Sequence, residues 1–264
     1  ASVPNLHDLA RRRFQAEWMG LIETIMAERS RGAARSADTP RDLFDLLRAA
    51  RDPETGAGIP AEELRDQVAT MIVAGHETTA LAIFWSLYLL ALAPDIQEGV
   101  AREAAGLDLS RDGAALALPV LVLTRAVVQE ALRLYPPAFI LVREAIGEDL
   151  VGGVPVRPRD LVMVAPWILH RHRKLWRDPD VFDPARFLPD AAPPDRFAYL
   201  PFGLGPRVCI GAQFALTEAV LVVAAMATAF RIGLPDHHPP VLPTAVITTQ
   251  PDRAAQFDLV RRTG

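Results

Sequence analysis

A cysteine that follows glycines and precedes an apolar helix is set up to bind a metal as its thiolate. The single cysteine of this chain, Cys209, stands in the run Phe202-Gly203-Leu204-Gly205-Pro206-Arg207-Val208-Cys209-Ile210-Gly211. Gly203, Gly205 and Pro206 make a tight loop just before the thiol, and Gly211 opens a long apolar stretch. The sulfur therefore falls at a helix N-terminus, where backbone N–H groups and the helix dipole favour a thiolate. Glycines here also let a large flat ring approach the backbone, and Phe202 is placed to shield the sulfur from water. Without such a loop, a lone cysteine reads as a small buried hydrophobe.

A second constellation is Ala74-Gly75-His76-Glu77-Thr78-Thr79, which sets a carboxylate beside a hydroxyl inside an apolar helical pattern. Neither group is welcome in a core unless it has a task or a partner. A structural alternative is a threonine hydroxyl bonded back to the preceding turn. His76 and Glu77 also suggest the zinc helix His-Glu-x-x-His, but its second histidine would be residue 80, which is alanine. Glu130 and Arg133 lie three apart on one helix face, a spacing that by itself makes a surface ion pair. His170 and His172, in an Arg-rich stretch, read as surface or capping residues and receive no role. The apolar runs Phe139 to Val142 and Val246 to Thr248 are core strand or the lining of a cavity.

These residues need a scaffold, and its period is mostly helical. Phe14, Trp18, Leu21, Ile22, Ile25 and Met26 give an amphipathic helix from Leu6 to Arg31, ended by the polar segment from Gly32 to Asp38. Asp38, Thr39 and Pro40 open a short helix to Ala50. Pro60, Glu62 and Glu63 start a helix that runs to Ala93, where Pro94 stops it; at about 33 residues it is about 50 Å long. The spacing predicts further helices over 95–105, 119–135 and 211–230. Small β elements fall in 138–165 and 241–260, and 173–206 is an ordered, proline-rich irregular loop. The fold class is mainly α with small β-sheets, with a helical core over 1–135 and 211–230.

The bulk numbers exclude some functions. With 264 residues, half of them hydrophobic, the chain buries a sizeable core, and its net charge of -4 with only short Arg clusters leaves no nucleic-acid footprint. One cysteine cannot form an intrachain disulfide, and the first residues carry no signal-peptide pattern, which fits a cytoplasmic setting. The longest uncharged run, Thr78 to Ala93, is shorter than a bilayer span, so a membrane partner is not expected.

The run from Phe202 to Gly211 resembles the heme-binding signature of the cytochrome P-450 superfamily, matching its Phe, Gly, Arg, Cys and Gly. The resemblance implies heme b with its iron ligated by Cys209, in a loop where Phe202, Gly205 and Gly211 belong to the cofactor site. It makes residues 74–79 similar to the family's oxygen-activation motif: Gly75 leaves room over the iron, Thr78 hydrogen-bonds the distal oxygen or its water, and Glu77 brings protons from solvent. Glu130 and Arg133, followed by Tyr135-Pro136-Pro137, resemble the family's Glu-x-x-Arg element, and Arg186 matches the second arginine of its charge cluster. These three would be structural, fastening the loop that presents Cys209. Arg143 and Arg207 would pair with the heme propionates.

The implied activity is a heme-thiolate monooxygenase that inserts one atom of dioxygen into an apolar small organic substrate. Electrons would come from an external ferredoxin- or flavoprotein-type donor, since no flavin or iron–sulfur motif occurs in the chain. The resemblance covers nearly all 264 residues but begins inside the family fold. It implies a single truncated domain, the C-terminal helical part of that fold, with apolar faces open to self-association. The alternatives are a non-catalytic or heme-free fragment, a heme-binding interaction module, a peroxide-using relative, and a cysteine nucleophile with a histidine base.

Overall fold

The computed structural model of the chain describes residues 6–32, 40 and 42–263. The elements in chain order are α1 (Leu6–Gly32), α2 (Leu43–Ala49), α3 (Ala61–Leu92), α4 (Pro94–Ala104), α5 (Ala114–Ala117), α6 (Val122–Leu134), β1 (Leu141–Glu144), β2 (Asp149–Val151), β3 (Val154–Val156), β4 (Leu161–Val164), α7 (Pro166–Leu169), α8 (Ala212–Ala229), β5 (Phe230–Gly233), β6 (Pro243–Ala245), β7 (Thr249–Pro251) and β8 (Asp258–Arg261). Helices dominate and the strands pair two by two, all antiparallel: β1 with β4, β2 with β3, β5 with β8 and β6 with β7. Two compact units divide the chain, Ala1–His76 and Glu77–Gly264.

In the first unit Trp18, Ile22 and Met26, one helical turn apart on α1, pack with Phe44 and Leu47 of α2, Ile59, and Leu64, Val68 and Ala69 of α3. Phe14 and Leu21, which share the same sequence period, are exposed. The polar segment after α1 and the opening at Asp38 and Thr39 lie outside the described residues. Within them α2 is capped by Asp42, whose side chain accepts from the Asp45 N–H at 3.1 Å.

In the second unit α4, α6 and α8 meet the far half of α3. Leu90, Val100, Val127, Val128, Val220 and Val223 are wholly buried there. Two polar side chains fix the geometry. Gln97 of α4 donates to the carbonyls of Leu90 and Ile232 and accepts from the Ile232 N–H, which ties β5 to the helices with no polar atom wasted. Helix α6 starts on Leu121, which has no capping side chain; the Glu103 carboxylate of α4 takes the Leu123 and Thr124 N–H groups at 2.6 and 2.8 Å instead. Helices α3 and α8 are long and apolar enough to cross a membrane by length and composition, but each supplies this core.

Pro94 stops α3 and also begins α4 at its first position, because a missing N–H costs nothing in a first turn. The last helix ends at Ala229 and Phe230 opens β5, where residues 230–233 pair with Asp258–Arg261. β2 lies within the stretch 138–165 expected to carry small β elements; it pairs with β3 through Gly152 and Gly153, both at positive φ, where glycine is the residue that turns without strain.

Candidate functional site

The loop from Leu200 to Gly211 is held by its own backbone. The Gly203 N–H donates to Leu200 O at 3.2 Å, the Cys209 N–H to Phe202 O at 2.9 Å and the Val208 N–H to Gly205 O at 3.0 Å. Gly203 and Gly205 have φ of +73° and +78°, so a side chain at either would strain the turn. Helix α8 begins immediately afterwards, with Gly211 as its N-cap residue. Phe202 is half-buried against the main core, while Cys209 is exposed. The apolar residues near Cys209 in sequence, Leu204, Val208, Ile210 and Phe214, are exposed as well.

This surface fits an iron porphyrin. A soft sulfur donor is presented rather than buried, and the residues next to it in sequence are exposed and apolar, the chemistry that suits a large apolar ring. Among the described residues no three His, Cys, Asp or Glu groups gather to hold a bare ion. Arg207 and Arg143 are exposed, and Arg143 donates to Val142 O at 2.8 Å. Gly75 has no atom within 4 Å of where a Cβ would stand, apart from its own helix.

Glu77 and Thr78 are both half-buried on α3. The Glu77 carboxylate accepts from the Thr248 hydroxyl at 2.6 Å and from the Gln250 side-chain amide. Sequence reasoning had given Gln250 no part, and a separation of 173 residues hides any local signal.

Glu130 and Arg133 are not on the surface; both side chains are 0% exposed. The guanidinium spends all five N–H donors: Nε and Nη2 on the Glu130 carboxylate at 2.6 and 2.8 Å, Nη1 on the carbonyls of His170 and Pro179 at 2.8 and 2.6 Å, and Nη2 on Val181 O at 3.1 Å. Glu130 also accepts from the Asp183 N–H at 2.9 Å, and Arg186 Nε lies 3.4 Å from it. One buried ion pair thus collects the backbone of 170–183, the irregular segment leading to the cysteine loop. Burial, then the nearby Glu130 charge, push the Tyr199 hydroxyl well above its ordinary value, so it stays a donor, to Gln129 O at 2.9 Å.

His170, read from the sequence as a surface or capping residue, is wholly buried. Its Nε2 accepts the Leu200 N–H at 2.8 Å, which places the ring proton on Nδ1, 3.2 Å from Arg133 O. The ring therefore bridges the charge cluster to the first residue of the cysteine loop. Burial pushes its pKa down to about 4. Protonation at Nε2 would also set two donors against each other. The folded ring refuses until about pH 4 a proton that the unfolded chain takes near its ordinary value. Stability is thus complete above that ordinary value and declines as pH falls toward 4, by on the order of 3 kcal/mol. His170→Gln, which keeps a donor and an acceptor but does not titrate, flattens this decline in urea unfolding; an equal decline in both proteins would contradict the assignment.

The family model described as Cytochrome P450 matches residues 2–256 of the chain. Among curated relatives, the chain is 40% identical over 192 residues to cyclooctatin synthase of Streptomyces melanosporofaciens, covering 72% of this chain and 42% of that protein. It is 38% identical over 212 residues to cyclooctat-9-en-7-ol 5-monooxygenase of the same organism, covering 80% and 46%. It is 37% identical over 235 residues to pentalenene oxygenase of Streptomyces avermitilis, covering 87% and 51%. The chain spans about half the length of these relatives.

Proposed function

The chain belongs to the cytochrome P450 family, and from that membership we propose that the whole protein is a heme-thiolate monooxygenase acting on an apolar small organic compound. The observation that carries the reading is the exposed Cys209 in its glycine-built loop, whose neighbours in sequence Leu204, Val208, Ile210 and Phe214 are exposed apolar residues. Heme held by this thiolate supplies the redox chemistry that places one atom of dioxygen in the substrate. Cys209 would hold the iron, Gly203 and Gly205 would leave room for the ring to approach the loop, and Arg207 and Arg143 would pair with the propionates.

Thr78 would donate a hydrogen bond to the bound oxygen or its water, and Glu77 would bring protons to it from solvent. Val246 and Ile247, both exposed, offer an apolar seat for the substrate, of the kind of compound that the relatives' names denote. Electrons come from a separate ferredoxin or flavoprotein, and the location is the cytoplasm.

The test is spectral and kinetic. The whole protein, reduced and bound to carbon monoxide, gives the red-shifted Soret band of a thiolate ligand. Thr78→Ala keeps that band while product per electron pair falls by about tenfold or more and hydrogen peroxide takes the difference. A wild type without the band removes the reading, and a Thr78→Ala variant with wild-type product yield removes the role given to Thr78.

A further inference from the structure

The carboxylate of Glu77 is gripped by a hairpin distant in sequence. Thr248 Oγ1 donates to Glu77 Oε1 at 2.6 Å, Gln250 Nε2 donates to the same oxygen, and that amide lies 3.3 Å from Thr248 Oγ1. The three side chains close a triangle on one carboxylate oxygen. Thr248 lies in the bend just before β7 and Gln250 within β7, and the tight turn closed by the Gln250 N–H on Thr248 O at 3.1 Å holds the two together.

The intervening residue makes the grip rigid. Thr249 is buried; its hydroxyl donates to Pro136 O at 2.6 Å, its N–H to Pro137 O at 3.1 Å, and its carbonyl accepts from Trp85 Nε1 at 3.1 Å. Trp85 in turn stacks on Tyr135, ring centroids 4.0 Å apart. The hairpin tip is the opposite: Val246 and Ile247 are 69% and 83% exposed, and the tip is closed by the Val246 N–H on Thr248 O at 3.3 Å. Two exposed apolar side chains therefore hang directly from the residue that holds the acid.

We propose that Thr248 and Gln250 are positioning residues that set the Glu77 carboxylate beside Thr78, and that an apolar substrate seated on Val246 and Ile247 braces this setting. Proton supply then depends on an occupied substrate seat through one hydrogen-bonded hairpin. The inference rests on the monooxygenase reading above.

Two measurements test it. In this chain, the infrared carboxylate band of Glu77, isolated by difference against Glu77→Gln, shifts when Thr248→Val and Gln250→Leu are combined, and Thr248→Ser alone leaves it in place. In the heme-loaded whole protein the double variant keeps the wild-type thiolate spectrum, but product per electron pair falls about tenfold and the solvent deuterium isotope effect rises. Thr248→Ser stays near wild type in both. An unmoved band, or a moved band with wild-type product ratio and isotope effect, overturns the proposal while the monooxygenase reading stands. Absence of the thiolate spectrum in the wild type removes the reading, and the proposal with it.

Discussion

Replacing Arg133 with alanine lowers the unfolding free energy of this chain by at least about 4 kcal/mol, the scale on which removing one partner of a buried ion pair destabilises a protein. The cost has two parts. Glu130 keeps a carboxylate with no solvent contact, and Arg186, 3.4 Å away, is left to balance it in place of the bidentate pair. Three carbonyls, of His170, Pro179 and Val181, also lose their donors. A buried pair can often be exchanged for apolar residues of similar volume at no loss, but not here, because leucine or methionine at both positions would leave those carbonyls unsatisfied. Arg133→Lys fails as well: an ammonium has three donors and cannot serve five acceptors spread over a fork. Urea unfolding measures the loss, and hydrogen exchange over 170–183 shows where the chain opens. A midpoint within error of wild type would refute the account.

The same cluster shows what was legible in the sequence. Spacing alone put Glu130 and Arg133 on one helix face and could say no more, because a three-residue interval looks identical on a surface helix and in a core. Burial is decided by what packs over α6, and that is the proline-rich segment, which has no period to read. His170 was hidden for the same reason: its partners, Arg133 O and the Leu200 N–H, are backbone groups 37 and 30 residues away. Where the pattern is local, the sequence sufficed. The bounds of α3 and α8 were set within a residue or two by Pro60, Pro94 and Gly211. The glycines at 203 and 205 marked turns that prove to have positive φ. Gln250 could not be found, since its link to Glu77 joins a helix and a hairpin with no common period.

Cys209→Ala in the whole protein abolishes the thiolate Soret band completely, and in this chain it changes unfolding free energy by less than about 0.5 kcal/mol. The second half of the statement follows from the exposure of the side chain. The loop around it is held by backbone bonds from Cys209 N–H to Phe202 O and from Ala212 N–H to Cys209 O, which alanine retains. A cysteine that served packing would behave in reverse, because truncating a buried side chain leaves a cavity and costs stability. The pair of measurements thus separates a ligand from a core residue. Loss of the band with unchanged folding identifies a side chain kept for what it binds. If the variant retained the band, or lost several kcal/mol without heme present, Cys209 would not be the ligand that its loop is built to present.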